Sequence, residues 1–273
     1  MKKLLGLPFI LMAFYCNSQG RIIFKVIYQP ETNYNQTIDQ SSETIVKYSG
    51  TAEFLRNLKT QGVDNPTISK ANSKTMSIFK AGKLTNGSSF PFSIRFVETI
   101  NSGGKVTIPN GTTIYGKSSL EDGPILDSVS GSLSNEVKKV LLQTMQKAFS
   151  QMTFPERKVQ IGETFSRQSP LTLPIAGVTL DISITTTYKL INIKGNLAMF
   201  YISQVYTLKS TIKGNNVKMT GNGRGNLIYD IENHFYKRYQ VDTDMTTNMK
   251  LDKFDLDLNA KSRFIQSVII TKD

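Results

Sequence analysis

The chain has 273 residues, a formal net charge of +12, one histidine, no tryptophan and a single cysteine at position 16. Its length allows two domains, but β-rich folds of this size commonly form one. The charge favours anionic partners such as membrane surfaces or polyanionic glycans; because the lysines alternate with Ser, Thr and Asn and form no basic run, solubility is the simpler explanation.

Lys2 and Lys3, followed by the apolar run Leu4 to Tyr15, read as an export signal. That run is shorter than the roughly 20 residues of a spanning helix, and no later stretch approaches that length. Two processing routes are open. Cleavage after Ser18, with Cys16 and Ser18 as the small residues recognised, makes Gln19 the mature N-terminus. Lipidation of Cys16 would anchor the chain instead, but Phe14 and Tyr15 stand where a lipoprotein signal wants a small residue. Cleavage is favoured. It removes thiol catalysis, disulfides and Cys-based metal sites together. The expectation is an exported protein, periplasmic or secreted in preference to an outer-membrane lipoprotein. Residues 1–18 are the signal peptide and 19–273 one β-rich domain with no transmembrane span. Export sets nucleic acid aside as a partner.

In the first half, 19–130, "QPETNYNQTIDQSSET" and "VDNPTISKANSKT" are polar and read as surface connections. Between them "GTAEFLRNLKTQG" suits a short helix, with Thr51 as cap and Gly62 as stop. Short apolar strands then alternate with turn signals: "TMSIFKAG", "FSIRFVETI", "KVTIP" before "NG", and "TTIYGK". The spacing of Val137, Val140, Leu141, Met145, Ala148, Phe149 and Met152 predicts an amphipathic helix over 134–152. Ser134 caps it, Glu136 suits its first turn, and Pro155 bars its continuation.

Residues 154–273 read as a strand meander. After Pro174 the chain is proline-free, so nothing interrupts a backbone ladder. Leu180, Ile182, Ile184, Tyr188 and Leu190 share one face, while Asp181, Ser183, Thr185, Thr187 and Lys189 share the other. Half-buried antiparallel strands give this alternation.

"TGNGRGNLIYD" carries Gly221, Gly223 and Gly225 on the apolar parity of one such strand. A dinucleotide fingerprint needs a glycine turn that opens a helix, with a later third glycine. Here another strand follows, and the phosphate-loop reading fails. Glycines on a strand face permit bending, or leave room for a close approach. If Glu232–His234 close a three-residue loop, Ile231 opposes Phe235, Leu227 opposes Tyr239, and the glycines oppose Val241, Thr243 and Met245. A turn at Asp252 and Lys253 then sets Met249 against Leu256 and Val241 against Phe264. On the outer face this register pairs Arg224 with Asp242, Lys250 with Asp255, Asp244 with Lys261 and Asp242 with Arg263, so both faces are satisfied at once. A turn at "KGNN", Lys213 to Asn216, puts Leu208 beside Gly221 and Tyr206 beside Gly223. The expected fold is β-rich α+β: a long, curled antiparallel sheet, half-barrel or barrel-like, with one amphipathic helix packed on it.

Chemistry is sparse. His234 sits at a hairpin loop that favours positive φ, without the nucleophile and orienting partner that catalysis needs. Asp242, Asp244, Asp252, Asp255 and Asp257 could suggest a calcium site, but "DTDMTTN" alternates as a strand and lacks the glycine turn of a calcium loop. Asp242, Asp244 and Asp255 each have an expected basic neighbour, so exposed cross-strand pairs are the better explanation. No metal, cofactor or catalytic residue is nominated.

"FPERKVQIGETF", Phe154 to Phe165, resembles the "FP…V…G-(D/E)-T-(W/F)" element of an uncharacterised family of secreted or lipid-anchored bacterial envelope proteins. "IYGKSSLEDGPILDSVSG" and the glycine-alternating strand ending at Asp230 are similar to the same group. The resemblance implies an envelope location and carries no activity. Three functions are weighed. The first is a non-enzymatic exported envelope protein binding a lipid or other hydrophobic or amphiphilic ligand, with Gly221, Gly223, Gly225, Tyr206, Val241 and Met245 as the contacting residues. The second is a structural or protein-interaction component of the envelope, with a protein partner and no small ligand. The third is a carboxylate-dependent hydrolase.

Overall fold

In a computed structural model, residues 20–85, 87–102, 108–121, 123–152, 154–175, 178–208 and 216–273 are described. The expected signal segment with Cys16 and the expected cut after Ser18 lie outside them, as do most of "KVTIP" and residues 213–215 of the expected "KGNN" turn. Thirteen strands and two helices follow in chain order: β1 (Arg21–Val26), β2 (Thr32–Gly50), α1 (Ala52–Thr60), β3 (Thr67–Ala81), β4 (Ser89–Asn101), β5 (Thr113–Ser119), β6 (Ile125–Ser130), α2 (Asn135–Met152), β7 (Phe154–Gln160), β8 (Thr164–Ile175), β9 (Val178–Lys194), β10 (Leu197–Leu208), β11 (Asn216–Asp230), β12 (Phe235–Lys250) and β13 (Phe254–Lys272).

Eleven strands form one antiparallel sheet in the order β6-β5-β4-β3-β2-β13-β12-β11-β10-β9-β8, and β1 pairs with β7 as a separate ribbon. Two meanders thus join edge to edge where β2 meets β13. The end strands β6 and β8 do not pair, so the sheet is open. It is also curled. Leu180 and Ile182 of β9 share one apolar cluster with Met245, Met249, Leu256 and Leu258 of β12 and β13, which a flat sheet would hold far apart. A larger cluster joins Phe92 and Ile114 of the first meander to Leu190 and Phe200 of the second, through Phe24 and Val159 of the β1–β7 ribbon and Phe149 of α2.

The expected registers of β11, β12 and β13 are those observed: Gly225 opposite Val241, Gly221 opposite Met245, Val241 opposite Phe264, and Asp242 opposite Arg263. Two turns differ. A register shift at Ile228/Tyr229 puts Asp230, and not Ile231, opposite Phe235, which lengthens that turn by one residue. Tyr206 faces Gly221, with Gln204 facing Gly223, a slip of two residues from the expected pairing. A two-residue slip preserves which face each side chain takes.

The polar stretches read as connections are β2 and β3, long central strands hydrogen-bonded to both neighbours. Paired backbone satisfies its own polar groups, so such a strand needs apolar side chains only where its face is covered. Tyr34, near one end of β2, is fully buried, whereas Asp39, Gln40 and Ser41 in the middle are exposed. β7 likewise leaves the expected meander and joins the ribbon with β1.

Both helices form where their caps predict. The Thr51 hydroxyl accepts from the Phe54 amide at 3.2 Å and the Ser134 hydroxyl from the Val137 amide at 3.4 Å. α2 packs more narrowly than its periodicity implies. Phe149 is buried and Leu141, Leu142 and Met145 are partly buried against the core, but Val137 and Val140 are exposed, at 38% and 60%. The first turns of the helix, through Val140, project from the core, and packing begins at Leu141.

Candidate functional site

The glycine row faces the interior of the curled sheet, but its space is already occupied. A Cβ at Gly221 would stand 3.0 Å from Tyr206 Cβ and 3.3 Å from Met245 Cγ; one at Gly223 would stand 2.7 Å from Gln204 Oε1 and 3.2 Å from Val241 Cγ1. At Gly225 it would collide with the carbonyl of Gln240. The protein's own side chains and backbone are the close visitors. Tyr206 over Gly221 is an aromatic covering a strand glycine, a device of curved sheets.

Gly223 and Gln204 sit on a polar band that crosses the interior face. Arg167 of β8 opposes Thr186 of β9, which opposes Gln204 of β10, then Gly223 of β11, Thr243 of β12, Ser262 of β13 and Ser42 of β2. Apolar clusters lie on either side of this band. Gln204 is its hydrogen-bonding centre: Nε2 donates to Thr186 Oγ1 at 3.2 Å and to the hydroxyl of the flanking Tyr239 at 3.5 Å, while the hydroxyl of the flanking Tyr206 donates to Gln204 Oε1 at 3.1 Å. Satisfied in this way, a polar band is tolerated beneath a partly covered surface.

Between the band, the β1–β7 ribbon and α2 lies a cavity of about 320 Å³. Its walls include Phe24, Val26, Phe154, Ile184, Leu227 and Phe264. Polar groups come from Arg167, Ser169, Thr186, Gln204 and Gln266, with Tyr188, Tyr236 and Tyr239 presenting both ring and hydroxyl, and Ala148 of α2 borders it. The volume falls at the lower end of the roughly 300–1,000 Å³ usual for small-ligand sites. Burial pushes the three tyrosines up, Tyr188 to about 12, so all are neutral hydrogen-bonding groups near pH 7. The Tyr236 hydroxyl has no hydrogen bond of good geometry, although Gln266 lies near enough to influence it. Among the described residues no carboxylate lines the cavity.

Of the six residues expected to contact a ligand, none borders this cavity. The link between them is Gln204, whose side chain lines the cavity and packs on Gly223. Arg167, Thr186, Gln204 and Gln266 were missed. Each is a polar residue on the apolar parity of its strand, and that mismatch is the signal by which the sequence marks them.

Four of the five acidic candidates have cross-strand partners, and the fifth, Asp252, lies in the turn between β12 and β13. Arg263 Nε donates to Asp242 Oδ1 at 2.5 Å, Asp244 faces Lys261, Asp255 faces Lys250, and Asn248 Nδ2 donates to Asp257 Oδ1 at 2.6 Å. Among the described residues no group of His, Cys, Asp or Glu is arranged to hold a metal ion. A broader depression of about 830 Å³ lies among the outward-facing charges Glu43, Lys70, Arg224, Asp242, Lys261 and Arg263. Those charges already oppose one another across the strands, and the depression is open to solvent. His234 has φ 48° and its Nδ1 is 3.3 Å from the Tyr229 hydroxyl. It serves the turn. No helix among the described residues is long and apolar enough to cross a membrane.

"FPERKVQIGETF" spans β7, the turn at Gly162 and the start of β8. Gly162 has φ 90°, and Glu163 Oε2 accepts from the Gln160 amide at 2.9 Å, closing that turn. The segment's residues are therefore chiefly architectural. Neither a known protein family nor a curated protein matches the sequence.

Proposed function

We propose that the protein is an exported, non-enzymatic envelope protein that holds a lipid or other hydrophobic ligand inside its curled sheet. The observation that carries this reading is the apolar-walled cavity of about 320 Å³ between the sheet, α2 and the β1–β7 ribbon, with its polar groups gathered along one band. Apolar walls with a few convergent polar groups favour a small amphiphile. The lack of carboxylates at the cavity, among the described residues, favours binding over hydrolysis. Fold shape alone would be weak warrant for a function, so the weight falls on these side chains.

Protein purified without detergent and examined by native mass spectrometry should carry a co-purifying hydrophobic molecule, or take up Nile red with a fluorescence increase. Failure of both would reject the reading. A second reading, docking of an envelope protein, draws support from Met199, Tyr201 and Val205, exposed apolar side chains on the outer face of β10. It predicts a stoichiometric partner in native membrane extracts, and a clean monomer there would count against it.

A further inference from the structure

We propose that the ligand is a single-chain amphiphile with an acidic head, and that Arg167 binds that head. The inference rests on the cavity being a ligand site. Arg167 lies on β8, on the inward parity it shares with Phe165, Ser169 and Leu171. A cation there stands on the apolar side of the strand. It is half-buried, and its guanidinium carbon is 5.0 Å from the centroid of the Phe154 ring. One long hydrogen bond, to the Ser150 carbonyl at 3.4 Å, is its partner among the described residues, and no carboxylate there lies within ion-pair distance. A guanidinium offers five donors in a fork that fits an oxyanion, so most of its capacity is unspent.

Desolvation pulls the Arg167 pKa below its usual value, the sign of a cation short of counter-charge. Thr186 lies directly across from it and Gln204 beyond, both able to hydrogen-bond a polar head. Ile184, Leu227 and Phe264 supply apolar wall for a chain. The small volume suits one short chain better than a two-chain lipid.

β8 is also an edge strand, and an inward charge on an edge discourages pairing with other chains. That role alone predicts aggregation on removing the charge and no ligand preference. The test is displacement of Nile red from the purified protein by decanoate, decyl phosphate, decanol and decyltrimethylammonium. Decanoate or decyl phosphate should displace the dye at roughly tenfold lower concentration than decanol, the gain from a charge-assisted bond, and decyltrimethylammonium should be weakest. Arg167→Gln should abolish the preference, weakening decanoate and decyl phosphate far more than decanol, and Arg167→Lys should restore part of it. Equal displacement by all four would overturn the assignment to Arg167 while leaving hydrophobic binding intact. Failure of every probe to bind would remove the cavity reading itself. If Arg167→Gln does not fold, the wild-type comparison still decides whether the head is acidic. Arg167→Lys then decides whether Arg167 binds it: a weaker preference is expected, and an unchanged one would overturn the assignment.

Discussion

Across the β11–β12 ladder, the carbonyl of Gln240 fills the place where a Cβ of residue 225 would stand. The two backbones therefore approach as closely as they do only because residue 225 is glycine. Gly221 and Gly223 are constrained less severely, by side chains and not by backbone: Tyr206 Cβ and Cγ and Met245 Cγ stand 3.0–3.3 Å from a Cβ at 221, and at 223 the closest atom is the movable Oε1 end of Gln204. Gly225→Ala should cost about 3 kcal/mol or more, and Gly221→Ala or Gly223→Ala about 1–2 kcal/mol, as expected for overpacking. Urea unfolding of the three variants checks that order.

α2 is held by the end that reaches the core. Phe149→Ala should destabilise by about 3–4 kcal/mol, whereas Val140→Ala, on the projecting part, should stay within about 0.5 kcal/mol. Limited proteolysis should also cut near α2 sooner in the Phe149 variant.

Asp230 is buried at the β11–β12 turn. Its carboxylate accepts from Asn196 Nδ2 at 2.9 Å, from the Asn233 amide at 3.1 Å and from Asn233 Nδ2 at 3.0 Å, with Lys237 Nζ 3.6 Å away. Burial alone would raise its pKa; the Asn233 hydrogen bonds and the Lys237 charge outweigh that and lower it. A lowered folded-state pKa contributes stability above the unfolded value, lost as pH falls through the folded value. Stability should thus decline below about pH 4. Asp230→Asn should be less stable than wild type near neutral pH by roughly 1.5–3 kcal/mol, and the gap should narrow in acid. Thermal melts across that range measure it.

Ala148 is exposed at the border of the cavity. Ala148→Trp should leave folding intact, because an exposed site tolerates the larger ring, yet obstruct entry. Nile red binding should weaken by roughly tenfold, a loss of about 1.4 kcal/mol. Unchanged binding would mean that the dye enters elsewhere.

The β11–β13 registers were readable because two constraints acted on every residue. Slipping by one would have buried Asp242 and Asp244 and exposed Val241 and Met245. The β10–β11 pairing lacked such a check. The glycines offer no side chain to choose between neighbours two residues apart, and either choice keeps the same face. β2 and β3 were unreadable for a different reason: their middles are polar because the sheet extends past its covered core, so composition resembles a connection where geometry makes a strand. The β1–β7 ribbon pairs Arg21 with Gln160, a contact that no local pattern announces.

By itself the sequence determined the pleat: which residues alternate, where helices begin and where the phosphate-loop reading breaks. These are local properties, set by period, caps and backbone freedom. Only the tertiary structure decided what fills the concave side. Curling carries Arg167, Gln204 and Gln266 together from strands that are not neighbours, beneath Ala148 of α2, and a cavity exists only once those distant surfaces face one another.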